Sequence, residues 1–258
     1  MGTGVITILQ KEWRQYFLSP IAYVILVVFL ALAGFFYYDL FTYFVQTQTM
    51  YQAYQNPEMA AQVNVNDMIL TPLFHNLSVL LLLIIPLVTM RLYAEERKNG
   101  TEELLLTSPI RESSIVYGKF LGAVSFYLAA LLLTAQFPLL LYKYGSPDLG
   151  KLLTGYLGLF LMGTSFLAFG LFSSTLARTQ IQAAMWSFFT LLLLWIVGWV
   201  SESLPGASGE ILRYIAMLPH FEGFADGTLK LSDLVYYASF ISLFLFLSTR
   251  VVESARWR

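Results

Sequence analysis

The sequence predicts an all-α polytopic membrane protein built from six transmembrane helices, and three observations carry this. The 258 residues are 57% hydrophobic and 12% charged, with a mean hydropathy of +0.66; a soluble domain runs about 45–50% apolar and about 25% charged. Six runs approach or exceed the roughly 20 apolar residues that a membrane-crossing helix needs: residues 21–45, 69–90, 120–142, 152–177, 181–200 and 234–252. None alternates polar with apolar as a barrel wall does, and each is too long for a barrel strand. Pro86 and Pro138 lie inside two of the runs, which a bundle tolerates because neighbouring helices satisfy the freed carbonyls. The whole chain, 1–258, reads as one transmembrane domain.

Residues 1–20 precede the first span. Val5, Ile6, Leu9, Trp13, Tyr16 and Phe17 share one arc of a helical wheel, and Lys11, Arg14 and Gln15 lie opposite; Ile8 and Glu12 break the pattern. This predicts an interfacial elbow helix in the headgroup plane, turned into the membrane at Ser19-Pro20. A frayed N-terminal tail is the alternative. A cleavable signal is not expected, because Lys11 and Arg14 come late and the following run is of spanning length.

Orientation follows from the basic residues, which concentrate in cytoplasmic loops. With the N-terminus inside, eleven of the 15 Lys and Arg fall on the cytoplasmic side, leaving Lys143, Lys151, Arg213 and Lys230 outside. Both termini are therefore expected in the cytoplasm, with the chain a multi-pass protein of the cytoplasmic (inner) membrane and the lipid bilayer its solvent.

Composition also excludes function classes. A formal charge of −1 gives no basic footprint for nucleic acid. With no cysteine there is no thiolate metal site and no cysteine nucleophile. His75 and His220 have no acidic company at ligand spacing, so no metal site is expected. No Ser/His/Asp arrangement is recognisable within the spans. Ion-coupled carriers keep ionisable groups near the midplane, whereas Asp39 is the only acid within a span, and it lies towards the outer end. The pattern G-x-x-x-x-G-K-[ST] is absent, so the chain has no P-loop for ATP. No catalytic residue and no cofactor is expected in this chain, and any work done across it draws its energy from another subunit.

The densest polar text is the loop over residues 91–118, between spans two and three. Span two is expected to continue as a helix through residues 91–98. Asn99-Gly100 breaks it, since both tolerate positive φ. Thr101 is a candidate N-cap for a short helix, with Glu102 and Glu103 in its first turn, then Leu104, Leu105 and Leu106, ended by Ser108-Pro109. A short helix held off the membrane on a charged stem is the shape of a coupling element. The alternative is a charged loop whose leucines pack back on the bundle.

The string AEERKNGTEELLLTSPIRESSIVYGKFLGA resembles the loop after the second span in permease subunits of ABC type-2 transporters, through Glu95, Glu96, Lys98, Gly100, Thr101, Glu103, Leu104, Leu105, Pro109, Gly118 and Lys119. A second string, LPHFEGFADGTLKLSDLVYYASF, is similar to the gliding-motility permease branch through His220, Phe221, Phe224, Gly227, Asp233 and Tyr236. The maturation permeases of nitrous oxide reductase are near relatives with a similar loop. The resemblance implies that residues 95, 96, 98, 100–105 and 109 contact a cytoplasmic ABC ATPase, which binds ATP and Mg, and that a second permease copy or a homologue completes the pathway. It also implies re-entrant outer helices in 201–233, with His220, Phe221 and Phe224 in an outer gate region; a surface loop on the headgroups is the alternative. An extracytoplasmic or membrane-anchored accessory protein is a further possible partner. The rival function is an ATPase-coupled platform that transmits force to such a partner without moving solute.

Elsewhere, Gly155, Gly158, Gly163 and Gly170 in span four, and Gly118 and Gly122 at the start of span three, are expected to let helices approach closely. Tyr37, Tyr38, Phe41, Tyr43, Trp195 and Trp199 fit an interfacial belt.

Overall fold

The structure, a computed structural model, describes residues 2–53, 64–101, 110–143 and 146–256, and these are helical with short connections. Six helices among the described residues are long and apolar enough to cross a membrane. An amphipathic helix α1 (Gly2–Leu18) leads into span one, α2 (Pro20–Ala53). Span two begins as a π-helical turn (Asn66–Leu70), continues as α3 (Thr71–Thr89) and is followed by the five-residue α4 (Ala94–Lys98). Span three is α5 (Glu112–Thr134) with a short α6 (Gln136–Leu140); span four is α7 (Leu149–Leu176); span five is α8 (Gln180–Ser203). Two short helices, α9 (Ala207–Ile215) and α10 (Met217–Ala225), precede span six, α11 (Leu231–Arg256).

Span four is the axis of the bundle. In its central window 67% of residues are buried, against 17% in span one and 22% in span five, so the last two turn most of their surface outward. Its glycines explain the difference. Lipid tails are as apolar as leucine, so helices in a membrane associate by close packing rather than by escape from water. A Cβ at Gly155 would stand 2.1 Å from the Phe74 ring, at Gly158 2.5 Å from Phe224, at Gly163 2.4 Å from the Tyr127 ring and at Gly170 2.2 Å from the Thr89 hydroxyl. Each glycine thus admits a larger side chain from α3, α5 or α10. The Tyr127 hydroxyl donates to the Leu159 carbonyl at 2.6 Å, satisfying its polar end inside the bundle.

Two helices break where continuous ones were expected. After Thr89 the chain makes a turn at residues 90–93 before α4 resumes, because the Tyr93 and Ala94 amides are drawn to a hydroxyl on span four. Span three breaks at Ala135 because Pro138 has no N–H for the Thr134 carbonyl, and the Thr134 hydroxyl instead lies 3.2 Å from that of Tyr156. Asp39 is exposed, as its position near a span end implied.

Candidate functional site

The end of the bundle that carries the 91–118 loop holds a buried polar junction. Five residues are too few for a helix to persist alone, and both ends of α4 are secured by tertiary or turn contacts. At its start the Ser174 hydroxyl of span four accepts from the Tyr93 amide at 3.0 Å and the Ala94 amide at 3.1 Å, covering donors that a helix start leaves open. At its end the Gly100 amide donates to the Arg97 carbonyl at 3.3 Å and the Thr101 amide to the Glu96 carbonyl at 3.0 Å, with Gly100 at φ 68°. This is a Schellman closure, and glycine supplies the left-handed residue without steric cost. The Arg97 guanidinium donates at 2.8 Å to the Ala177 carbonyl, just past the end of span four, and lies 5.8 Å from the Tyr93 ring centre.

Below α4 lies an ion cluster contributed by three elements. Lys119 of span three, 2% exposed, donates to Glu12 of α1 at 2.7 Å and lies 2.9 Å from the Glu96 carboxylate of α4. Lys11 reaches the same Glu96 oxygen at 2.7 Å from the rim. Two ammoniums thus face two carboxylates, which offsets much of the cost of removing each charge from water. The cluster fixes the loop stem to α1 and span three at once. Beside it Tyr16 stacks on Phe126 at 5.0 Å and donates to the Val88 carbonyl at 3.3 Å, and burial pushes its hydroxyl well above the ordinary phenol value.

Helix α1 reaches this position because span three has a groove for it. A Cβ at Gly118 would come 2.6 Å from the Ile8 Cβ, and one at Gly122 2.6 Å from the Glu12 Cβ. Ile8 and Glu12, which break the amphipathic pattern, are the residues that face protein, 4% and 3% exposed. Ile6 and Trp13 keep about half their surface outward, and the Trp13 indole N–H donates to the Ser125 hydroxyl. Glu12 carried no functional reading in the sequence; the signal was its four-residue spacing from Ile8, which matches that of Gly118 and Gly122.

The expected loop residues therefore separate. Lys98, Gly100 and Thr101 are exposed at the tip of the stem. Glu95 is half-buried and accepts from the Gln15 amide at 3.4 Å. Glu96 is turned inward, 7% exposed. Glu102, Glu103, Leu104, Leu105 and Pro109 lie outside the described residues. Next to the stem a depression of about 620 Å³ is lined by Leu176, Ala177, Arg178, Gln182 and Trp186.

At the opposite end, residues of the second string form a knot between span five and span six. The chain breaks between α9 and α10 at Ala216 (ψ 141°), and Pro219 sits in the first turn of α10, where its missing N–H costs nothing. Helix α9 exposes Ile211 and Tyr214, while Phe221 and Phe224 of α10 are fully buried against span four and its neighbours. The His220 ring bonds through Nδ1 to Asp233 at 2.8 Å and through Nε2 to the Tyr214 carbonyl at 3.1 Å. It stacks on Tyr236 at 4.0 Å, and the Tyr236 hydroxyl donates to the Ile215 carbonyl at 2.7 Å. His75 approaches the Phe221 ring edge-on at 5.7 Å. Among the described residues no three His, Cys, Asp or Glu converge as a metal site would require.

Residues 6–256 match the family described as ABC-2 family transporter protein. Two relatives, the probable multidrug ABC transporter permease YbhR of Escherichia coli strain K12 and that of Escherichia coli O157:H7, are each 32% identical over 138 residues, 52% of this chain and 37% of the relative. The match thus spans little more than a third of the relatives' length.

Proposed function

Because the chain belongs to the ABC-2 transporter family, we propose that it is the membrane-spanning permease subunit of an ATP-driven transporter whose 91–118 loop docks a separate cytoplasmic ATPase. The ATPase binds ATP and Mg, a second permease copy or a homologue supplies the other half of the pathway, and both termini of this chain lie with the ATPase. The observation that carries the reading is the Glu12–Lys119–Glu96 cluster. A coupling loop must move its spans as a unit, and this cluster ties the loop stem to α1 and span three, while Ser174 and the Ala177 carbonyl tie it to span four.

In this reading Lys98, Gly100, Thr101 and the 102–109 segment contact the ATPase, and Glu96 acts as a positioning residue behind them. His220, Phe221 and Phe224 belong to an outer gate, held by the knot around Asp233 and Tyr236. The multidrug role named for the relatives makes drug-like compounds the first substrates to test. The likeness of residues 218–240 to the gliding-motility branch supports the second reading, a force-transmitting platform acting on an extracytoplasmic partner.

The experiment is affinity purification of the tagged chain from native membranes in mild detergent, followed by ATPase assays of the complex in proteoliposomes. A stoichiometric P-loop ATPase that is lost on Gly100→Val, with membrane insertion intact, is the expected result. Stimulation by drug-like compounds supports transport, and stimulation only by a protein partner supports the platform. A chain that purifies alone and is active without an ATPase overturns both.

A further inference from the structure

The polar junction sits over a crevice that the coupling role does not use. Its upper part, about 420 Å³, lies between α1, the start of span one and the end of span two, with Gln15, Ser19 and Arg91 at its polar rim. Its lower part, about 350 Å³, runs between spans one and two and is lined wholly by apolar and aromatic residues, among them Ile25, Phe29, Leu81 and Ile84. The two parts share Ile25, Val88 and Phe126, so they meet at those side chains.

The charges around the polar rim are unevenly matched. Glu12 is engaged by Lys119, and Glu95 receives the Gln15 amide. Arg91 forms no ion pair among the described residues, and its buried Nε has no hydrogen-bond partner. A guanidinium left in this state favours an anion, and its fork geometry fits phosphate. Below it the walls offer only apolar contact, and around it the solvent is lipid. A free anion would leave the lower part empty, and a neutral lipid would leave Arg91 without a counter-charge.

We propose that this crevice binds one anionic phospholipid, with its phosphate on Arg91 at the level of α1 and an acyl chain between spans one and two. The lipid then packs against α1 beside Glu12 and Tyr16 and becomes part of the support for the loop stem.

The test is native mass spectrometry of the full-length chain in detergent, titrated with dioleoyl phosphatidylglycerol or dioleoyl phosphatidylcholine. The expected result is one tight phosphatidylglycerol site, preferred over phosphatidylcholine by about ten-fold, because the choline ammonium is a counter-charge already bound to its own phosphate and weakens that phosphate's pull on Arg91. Arg91→Gln removes the preference, Arg91→Lys retains most of it, and Ile25→Trp, which fills the apolar part, weakens both lipids. Arg14→Gln, at an exposed cation of α1, leaves binding unchanged. Equal affinity for the two lipids overturns the proposal, as does full competition by glycerol 3-phosphate, which has the headgroup and no chain. An equal loss in Arg14→Gln also overturns it, since that marks general surface attraction. If Arg91→Gln does not insert, the wild-type lipid preference and the Arg91→Lys and Ile25→Trp pair decide the matter.

Discussion

Lys119 Nζ lies 2.9 Å from the Glu96 carboxylate, and through this pair span three holds the loop stem that leaves span two. The residues are on different elements, both are buried, and neither charge has water to replace the other. Breaking a buried pair from one side leaves an uncompensated charge and costs about 3–5 kcal/mol, whereas an exposed pair contributes about 0–1 kcal/mol.

The first prediction uses that contrast. Lys119→Ala strands the buried Glu12 and leaves Glu96 only the Lys11 ammonium, while Lys11→Ala removes a half-exposed ammonium from the rim. Thermal unfolding in detergent is expected to fall much further for Lys119→Ala, with Lys11→Ala within about 1 kcal/mol of wild type. Equal losses would mean that the cluster is solvated and does not hold the stem.

A second prediction concerns the groove for α1. Gly118→Val sets a branched side chain where the Ile8 Cβ already lies 2.6 Å from an added Cβ. The helix must lift, and the Lys119–Glu12 contact one turn along is lost with it. Ile8→Gly in the same chain reopens the space. Stabilities of the two single variants and the double variant should show a coupling of about 0.5–3 kcal/mol; simple additivity would mean that α1 does not seat there.

The third prediction is local. Ser174→Ala removes the oxygen that accepts from the Tyr93 and Ala94 amides, leaving buried donors at a cost of about 1–3 kcal/mol. Amide exchange should quicken over residues 93–97 while the centre of span four stays protected. An unchanged pattern at residues 93–97 would refute the capping role.

Much of this arrangement was legible in the sequence, and the part that was not has a common cause. Apolar run length marks the six spans because the hydrocarbon core sets it, and Asn99-Gly100 marks the stem's end because turn chemistry is local. The inward turn of Glu96 is invisible locally, since its partners Lys11 and Lys119 are 85 and 23 residues away. Glu12 looked like a defect on a lipid-facing helix because a wheel knows only one environment, and α1 has two. The break at residues 90–93 depends on Ser174, which reads as one more small residue of span four. The Ala216 break went unread for a different reason: Pro219 marks a helix start as readily as a helix end.

The fourth prediction tests whether the knot before span six is polar in origin. His220 combines a stacked ring on Tyr236 with two hydrogen bonds, one to Asp233 and one to the Tyr214 carbonyl. His220→Phe keeps a ring for stacking and removes both bonds, leaving Asp233 buried with only the Ser232 hydroxyl at 3.2 Å among the described side chains. Asp233→Asn offers an amide NH₂ that donates to Nδ1, while Nε2–H still donates to the Tyr214 carbonyl, so a neutral imidazole keeps both bonds. If the hydrogen bonds hold the knot, His220→Phe should cost about 1–3 kcal/mol and loosen amide protection across residues 214–225, while Asp233→Asn should cost less. If packing alone holds it, His220→Phe should be nearly neutral, because the ring volume is conserved and a phenyl gains by burial. The order of the two variants therefore decides the point, with amide protection at the centre of span four, which neither substitution touches, as the internal reference.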